Sequence, residues 1–240
     1  MKLIIITLIL VLVSLSLTNK MKPSKDPIVS FDDQRLIVDR HNSYRNDVAS
    51  QKTTIEPKML PFAQNMLQMY WNDEIAMKAQ GVANSCQTKH SVLQNRKVDK
   101  FYLGENLFLL NADDKQKWSE VVDGWFKEIS AFKNKNVLSY VAGDVSSENF
   151  SQMIWANSYQ IGCGFAKCKE KSFYVCHYGP IGNVIGKSIY KSASVGTCNC
   201  PKDTKCLNVE YKQLCCPTGH CKKDNLNFNG IIEGTASTIG

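Results

Sequence analysis

Cysteine is the most chemically reactive residue type in this sequence, and its ten copies are unevenly distributed. Six of them fall within the 24 residues 198–221, which is one residue in four. Thiols at this density either bind a metal such as zinc or pair as disulfides, and the redox state of the compartment decides between the two. The six are Cys198, Cys200, Cys206, Cys215, Cys216 and Cys221, and the other four are Cys86, Cys163, Cys168 and Cys176.

The N-terminal residues predict an oxidising compartment. Lys2 is followed by an apolar run over residues 3–13 and then by small residues, which is typical of a secretory signal peptide, here residues 1–18. Such a protein is secreted and extracellular, so we expect its cysteines to form disulfides and expect no cofactor. The run is shorter than the roughly 20 residues that cross a bilayer, so no transmembrane anchor is expected.

The composition predicts a folded protein with one main domain. Of the 240 residues, 43% are hydrophobic and 21% are charged, which excludes a disordered chain, a collagen and a coiled coil. A chain of this length builds one core, or one core with a small satellite, and we expect a monomer.

The positive charge is concentrated near the C-terminus. Residues 187–223 contain seven lysines and two acidic residues, while the whole chain carries +7. We interpret this stretch as a solvated surface, with attraction to an acidic membrane surface or a channel vestibule as the alternative. Nucleic acid is not expected as a partner, because basic and aromatic residues are not interleaved.

Three segments show the hydrophobic period of a helix: residues 32–50, residues 72–86 and residues 117–132. Asn72 is suited to cap the second helix. The third carries an aromatic and aliphatic stripe that includes Trp118 and Trp125, which is typical of a core face rather than of a cofactor site.

The apolar period changes to two after residue 160, which predicts a hairpin with Lys169 and Glu170 in the turn. Residues that face each other across this turn have numbers that sum to about 339, which places Cys163 opposite Cys176 at a separation that a disulfide tolerates. Before the tail, this leaves Cys86 and Cys168, which we pair.

Residues 196–223 are predicted to form a small disulfide-rich tail, and the segment before them reads as a connector rich in Ser, Gly and Lys. The tail contains little apolar material, so it depends on its bridges for order. Six cysteines allow 15 pairings, and the sequence does not choose among them.

Eight motifs occur in order along residues 32–190. They are Arg40-His41-Asn42 with Arg45, then Trp71, Lys89-His90-Ser91, Gly104-Glu105-Asn106-Leu107, Trp125-Phe126-Lys127-Glu128-Ile129, Phe150-Ser151-Gln152-Met153-Ile154-Trp155, Gly162-Cys163-Gly164, and residues 174–183 (YVCHYGPIGN). In this order the chain resembles the CAP superfamily, which comprises cysteine-rich secretory proteins, antigen-five venom allergens and plant pathogenesis-related proteins.

The resemblance implies an α+β fold, a three-layer α-β-α sandwich of the CAP type over residues 32–190, with residues 196–223 as its hinge-like tail. One core bridge of many family members is missing, since neither Leu103 nor Gly179 is a cysteine. The tail departs from the usual hinge in its cysteine spacing.

The resemblance also implies a central cavity with two histidines and two glutamates. By motif these fall on His90, Glu105, Glu128 and, in place of the second histidine, Asn149. An Asn amide is a weaker and harder ligand than imidazole, so no metal is expected and zinc-dependent chemistry is disfavoured. A buried Glu105 is expected to have a raised pKa.

Asn149 also begins the sequon Asn149-Phe150-Ser151, which is a glycosylation candidate. A glycan there would grow out of the predicted cavity, so occupancy is disfavoured.

The leading hypothesis is a secreted, non-enzymatic protein of the venom-allergen or salivary type. The resemblance implies a sterol, a fatty acid, a host protein or an ion channel as its partner, and the sequence does not choose among them. One alternative is a metal-assisted hydrolase with Glu105 or Glu128 as general base beside His90. A second alternative is an ion-channel modulator that acts through the cysteine-rich tail.

Overall fold

The computed structural model describes residues 29–53, 60–111, 117–143, 146–206 and 211–217. The predicted signal peptide and Cys221 lie outside these residues. Within the described ranges, no helix is long and apolar enough to cross a membrane.

Four α-helices are present in the described residues: α1 Phe31–Ala49, α2 Asp73–Ser85, α3 Trp118–Lys127 and α4 Glu148–Met153. Short 3-10 helices cover Leu93–Asn95, Glu128–Ser130 and Asn134–Val137. Asn72 caps α2 as predicted, because its side-chain oxygen accepts the backbone N–H of Ile75 at 3.0 Å. The third predicted helix is α-helical only to Lys127 and then tightens into the 3-10 turn that contains Glu128.

The central sheet contains four strands: β2 Tyr70–Trp71, β5 Gly104–Asn111, β6 Gln160–Cys168 and β7 Lys171–Gly179. They lie side by side in the order β2-β6-β7-β5. Strand β2 is parallel to β6, and the other two pairings are antiparallel. Cys163 lies opposite Cys176 in the β6–β7 hairpin, which is the predicted register.

Six short strands complete the description: β1 Phe62–Ala63, β3 Lys97–Val98, β4 Phe101–Tyr102, β8 Ser192–Ala193, β9 Thr204–Cys206 and β10 Cys215–Pro217. They form three two-stranded ribbons, β1 with β8, β3 with β4 and β9 with β10.

Helices cover both faces of the central sheet. Alternate side chains of a strand point to opposite faces, and on β7 the residues Phe173 and Val175 pack with Ala79 and Ala83 of α2. Residues 174, 176 and 178 belong instead to the main core, which contains side chains of α1, α3 and α4. The three layers α-β-α confirm the predicted fold class.

Two glycines of β6 allow α2 to lie close against the sheet. A Cβ at Gly162 would overlap the backbone of Ala76, and one at Gly164 would overlap the backbone of Gln80. No side chain larger than hydrogen fits at either position without moving the helix.

Arg45 of α1 ties three separate segments of the core together. Its guanidinium is fully buried and donates to the carbonyl oxygens of Leu67, Met153, Trp155, Ala156 and Ser158 at 2.6–3.1 Å. A buried charge is tolerated when such donors are all matched, so Arg45 sets the mutual position of these segments.

The body contains the disulfides Cys86–Cys168 and Cys163–Cys176. Cys86 is an exposed residue that ends α2 in a left-handed conformation, with φ of 54°. In the tail, Cys198 pairs with Cys206 and Cys200 pairs with Cys215.

The tail packs on the body more closely than its composition suggests. Tyr211 and Leu214 belong to the main hydrophobic core. The backbone of Cys215 donates to Met66 at 2.7 Å and accepts from Gln68 at 2.8 Å. Apolar burial therefore holds residues 211–216 in place together with the disulfide bridges.

Candidate functional site

Glu105 is the centre of the candidate site. It is the second residue of β5 and lies directly opposite His177 of β7. Cross-strand partners share a face, so both side chains point toward the α2 side of the sheet. The Glu105 side chain is completely buried, while that of His90 is 54% exposed.

Both carboxylate oxygens of Glu105 are fully used as hydrogen-bond acceptors. Oε1 accepts from His90 Nδ1 at 2.9 Å and from the backbone N–H of Ser91 at 2.8 Å. Oε2 accepts from the Ser91 hydroxyl at 2.6 Å and from His177 Nε2 at 2.9 Å. Four donors on one buried carboxylate form a closed hydrogen-bond network.

The environment lowers the pKa of Glu105, which reverses the expected direction. Burial by itself raises the pKa, but the hydrogen bonds from His177, His90 and Ser91 favour the charged form and outweigh it. Glu105 is therefore a carboxylate at neutral pH rather than a proton donor.

His177, which lies in the motif at residues 174–183, completes the network. It is buried, and burial lowers its pKa more than the neighbouring Glu105 raises it. Its Nδ1 has no hydrogen-bond partner among the described residues. The motifs give no local signal for this contact, because 72 residues separate His177 from Glu105.

Glu128 and Asn149 form a second group. The Asn149 amide donates to Glu128 Oε1 at 2.7 Å, and the backbone N–H of Phe150 donates to Oε2 at 3.0 Å. Burial raises the pKa of Glu128, and the hydrogen bonds from Asn149 and Phe150 only partly oppose this. Glu128 directly follows the end of α3, and Asn149 is the second residue of α4.

Asn106 is the link between the two groups. Its amide donates to the backbone oxygen of Asn149 at 3.0 Å and to the Tyr178 hydroxyl at 3.1 Å. Because Asn106 follows Glu105 on a strand, its side chain points to the opposite face of the sheet. The structure thus joins His90 to Glu105 and Glu128 to Asn149, but no hydrogen bond joins one pair directly to the other within the described residues.

This arrangement does not fit a zinc ion. Zinc needs three or four ligand atoms that converge, with free lone pairs. Among the described residues, the three cysteines 198, 200 and 206 are the only close group of at least three metal-ligating side chains, and they are used in disulfides. The lone pairs of Glu105 are already taken by protein donors.

The exposed edge of His90 borders a groove of about 440 Å³. Val82 of α2 and Val92 supply its apolar lining, while Lys78 and Lys89 supply positive charge. Ser91 lies at the same border, so the Glu105 network forms one wall of this groove.

Comparison with a family model and with known proteins points to the same family. The family model described as "CAP: Cysteine-rich secretory protein family" matches residues 38–178. The CRISP/Allergen/PR-1 protein of Trittame loki is 32% identical over 88% of this chain and 57% of its own length. Venom allergen 5 of Tityus serrulatus is 32% identical over 85% of this chain and 48% of its own length. The chain therefore spans about half the length of these two relatives.

A shorter relative is matched over most of its length. Scoloptoxin SSD976 of Scolopendra dehaani is 34% identical over 76% of this chain and 83% of its own length. Among solved structures, Na-ASP-1 has a TM-score of 0.65 at 27% identity over 82% of this chain and 50% of its own. NaASP2 with Zn2+ has a TM-score of 0.62 at 26% identity over 74% of this chain and 99% of its own.

Proposed function

The chain belongs to the CAP family of cysteine-rich secretory proteins, and from this premise we propose that it is a secreted, non-enzymatic protein that acts outside the cell by binding a lipid or protein target. The family's proteins are generally not enzymes, and relatives with names such as venom allergen and cysteine-rich venom protein favour an extracellular role. The predicted signal peptide and the disulfides support the same location.

The observation that carries this proposal is the fully hydrogen-bonded state of Glu105. A general base needs a lone pair that is free to take a proton from the substrate or from water. Glu105 already accepts four hydrogen bonds and has no such lone pair. Glu128 accepts two, from Asn149 and Phe150, and no hydrogen bond joins it to His90 among the described residues. Glu105 therefore has a structural role, which leaves the surface of the molecule for recognition.

A hydrolase remains the second candidate because of one observation. His90 donates to Glu105 through Nδ1 and borders the groove of about 440 Å³, so Glu105 orients the imidazole of a half-exposed histidine. An oriented imidazole at a groove is the geometry that a general base uses.

Two measurements on the mature protein decide between these candidates. For binding, lipids that co-purify with the protein are identified by mass spectrometry. In addition, binding of a fluorescent fatty acid and its displacement are measured at micromolar concentrations. Absence of both signals, with no lipid retained, removes the lipid target and leaves the protein target to be found by cross-linking.

For catalysis, esterase and peptidase substrates are tested with and without Zn2+, which is the metal named for NaASP2. We expect no turnover and weak zinc binding by the wild type, with tighter binding by Asn149→His. Zinc-dependent turnover that His90→Gln abolishes would establish the hydrolase instead.

We also expect Asn149 to carry no glycan, because its amide nitrogen lies 2.7 Å from Glu128 in a partly buried contact that leaves little room for a sugar on that atom. Intact mass before and after glycosidase treatment tests this. A mass loss that Asn149→Gln prevents would show that the sequon is used.

A further inference from the structure

Large hydrophobic side chains are exposed together in one region outside the tail. Eleven such side chains are exposed among the described residues, and four of them fall in two short segments. Leu138 is 67% exposed, Val141 56%, Val184 37% and Ile185 70%. We call these four residues the apolar face.

The two segments form one structural unit. Tyr140 donates its backbone N–H to Lys187 at 2.8 Å, and Gly186 donates to Tyr140 at 2.9 Å. Ile189 donates to Val137 at 2.9 Å. These bonds bring the exposed side chains of both segments to the same part of the surface.

Buried anchors hold this unit in place. Val137 is fully buried, and Tyr140 is 4% exposed and packs edge-on against Trp155 at 6.0 Å between ring centroids. The apolar face is therefore presented on a fixed support, and its side chains need no refolding to reach a partner.

Lysines flank the residues of the apolar face along the chain. Residues 132–143 and 184–191 contain four lysines, at positions 133, 135, 187 and 191, and no acidic residue. Lys135 and Lys187 are exposed, and neither forms an ion pair with a described residue. Glu148 lies beyond this stretch, where its carboxylate accepts the backbone N–H of Gly143 at 3.3 Å. Asp144 lies outside the described residues.

We propose that the apolar face with Lys135 and Lys187 docks on the surface of a membrane that contains anionic phospholipids. Aliphatic side chains that protrude can enter the boundary between headgroups and acyl chains, while lysines beside them contact the headgroup phosphates. The exposure of these side chains distinguishes the face from a pocket for a single lipid, which is concave and buries its ligand. The proposal rests on the proposed binding function and names a lipid surface as its target, but at a site separate from the Glu105 groove.

The test uses the mature full-length protein and sedimentation with vesicles. One set contains phosphatidylcholine alone, and the other contains phosphatidylcholine with phosphatidylserine. We expect binding to the anionic vesicles that weakens as salt is raised, because a Debye length of about 8 Å at physiological ionic strength screens exposed charges. Since each lysine near such a surface contributes about fivefold, Lys135→Glu with Lys187→Glu should weaken binding by at least about thirtyfold.

Matched variants separate this face from other exposed residues. Leu138→Ser with Ile185→Ser should weaken vesicle binding at least about tenfold, whereas Phe31→Ser with Met77→Ser, similarly exposed elsewhere, should not. Lys202→Glu with Lys205→Glu reverses the same number of charges in the tail and should have a smaller effect than reversal at Lys135 and Lys187.

The outcomes that overturn the proposal are equally specific. No binding, equal binding to neutral and anionic vesicles, or an equal loss in the face and control variants would each reject it. The fluorescent fatty-acid displacement assay, repeated on the same variants, distinguishes failure of the membrane proposal from failure of the wider binding function. A ligand bound in the Glu105 groove should give the same displacement as with the wild type when only the apolar face is changed.

Discussion

At the scale of single residues, two buried carboxylates differ in the number of donors that reach them. Glu105 receives four hydrogen bonds, two from histidines, and its pKa falls. Glu128 receives two, from Asn149 and Phe150, and its pKa rises because these bonds oppose the effect of burial only in part. The donors rather than the depth of burial decide which carboxylate prefers its charge.

This difference predicts unequal costs for the same substitution. Glu105→Gln replaces a four-fold acceptor by a group whose NH2 faces two donors, so we expect the free energy of unfolding to fall by about 3 kcal/mol. Glu128→Gln should cost about 1 kcal/mol, because Asn149 can turn its amide oxygen toward the new NH2. Urea unfolding at pH 7 measures both, and equal losses would contradict this account of the network.

His41 predicts how stability depends on pH. It is buried, its Nδ1 donates to Ile37 at 2.7 Å, and its Nε2 accepts from Tyr178 at 3.0 Å, so it is neutral in the fold. Burial lowers its pKa to about 4. Since the ordinary value is about 6.5, the unfolded chain binds the proton first, and stability present above pH 6.5 is lost as the pH falls toward 4.

The size of this effect is about 3 kcal/mol, from about 1.4 kcal/mol for each pKa unit. His41→Gln retains a donor and an acceptor without the titration, so its unfolding free energy should fall by about 3 kcal/mol less than that of the wild type between pH 7 and pH 4. Parallel pH curves for the two proteins would show that other groups, such as His177 and Glu105, account for the loss.

At the scale of elements, local chemistry made some features predictable. The Asn72 cap and the β6–β7 hairpin follow from residues close together in sequence, and the hairpin register fixed the Cys163–Cys176 pairing. The pairing of β5 with β7, which creates the contact of Glu105 with His177, joins distant strands and has no such local signature. The motifs named His90, Glu105, Glu128 and Asn149, but only tertiary structure divided them into two hydrogen-bonded pairs.

The contact of α2 with the sheet predicts opposite effects for two glycines. Gly162→Ala places a Cβ against the backbone of Ala76, so the helix must move, and we expect a loss of at least about 3 kcal/mol. Gly81 lies within α2 with nothing within 4 Å of the new Cβ, so Gly81→Ala should stabilise by up to about 1 kcal/mol through helix propensity. Thermal unfolding compares the two, and a shift of the same sign in both would contradict this packing.

At the scale of the whole molecule, the tail is part of the body's core. The high cysteine density of residues 198–221 suggested a module ordered by its disulfides alone. In the structure, two apolar side chains also anchor the tail in the core of the body. Tyr211 and Leu214 are buried in the main core, and the backbones of Leu67 and Cys215 form an isolated parallel β-bridge. A few apolar residues in a polar segment give a weak sequence signal, which is why this docking was not predicted.

The docking predicts that a tail substitution destabilises the body. Leu214 is fully buried, so Leu214→Ala should lower the free energy of unfolding by about 3 kcal/mol while unfolding stays a single transition. Val195, 58% exposed before the tail, serves as control, and Val195→Ala should change it by less than about 0.5 kcal/mol. Calorimetry with near-UV circular dichroism detects whether body and tail unfold together, and two separate transitions would show an independent tail.

If they unfold together, cutting the chain at Gly196 removes core side chains as well as the tail surface, so lost channel activity after such a cut cannot be assigned to the tail alone. Point variants of exposed tail residues such as Lys202 and Lys205 are then the valid test of the channel hypothesis.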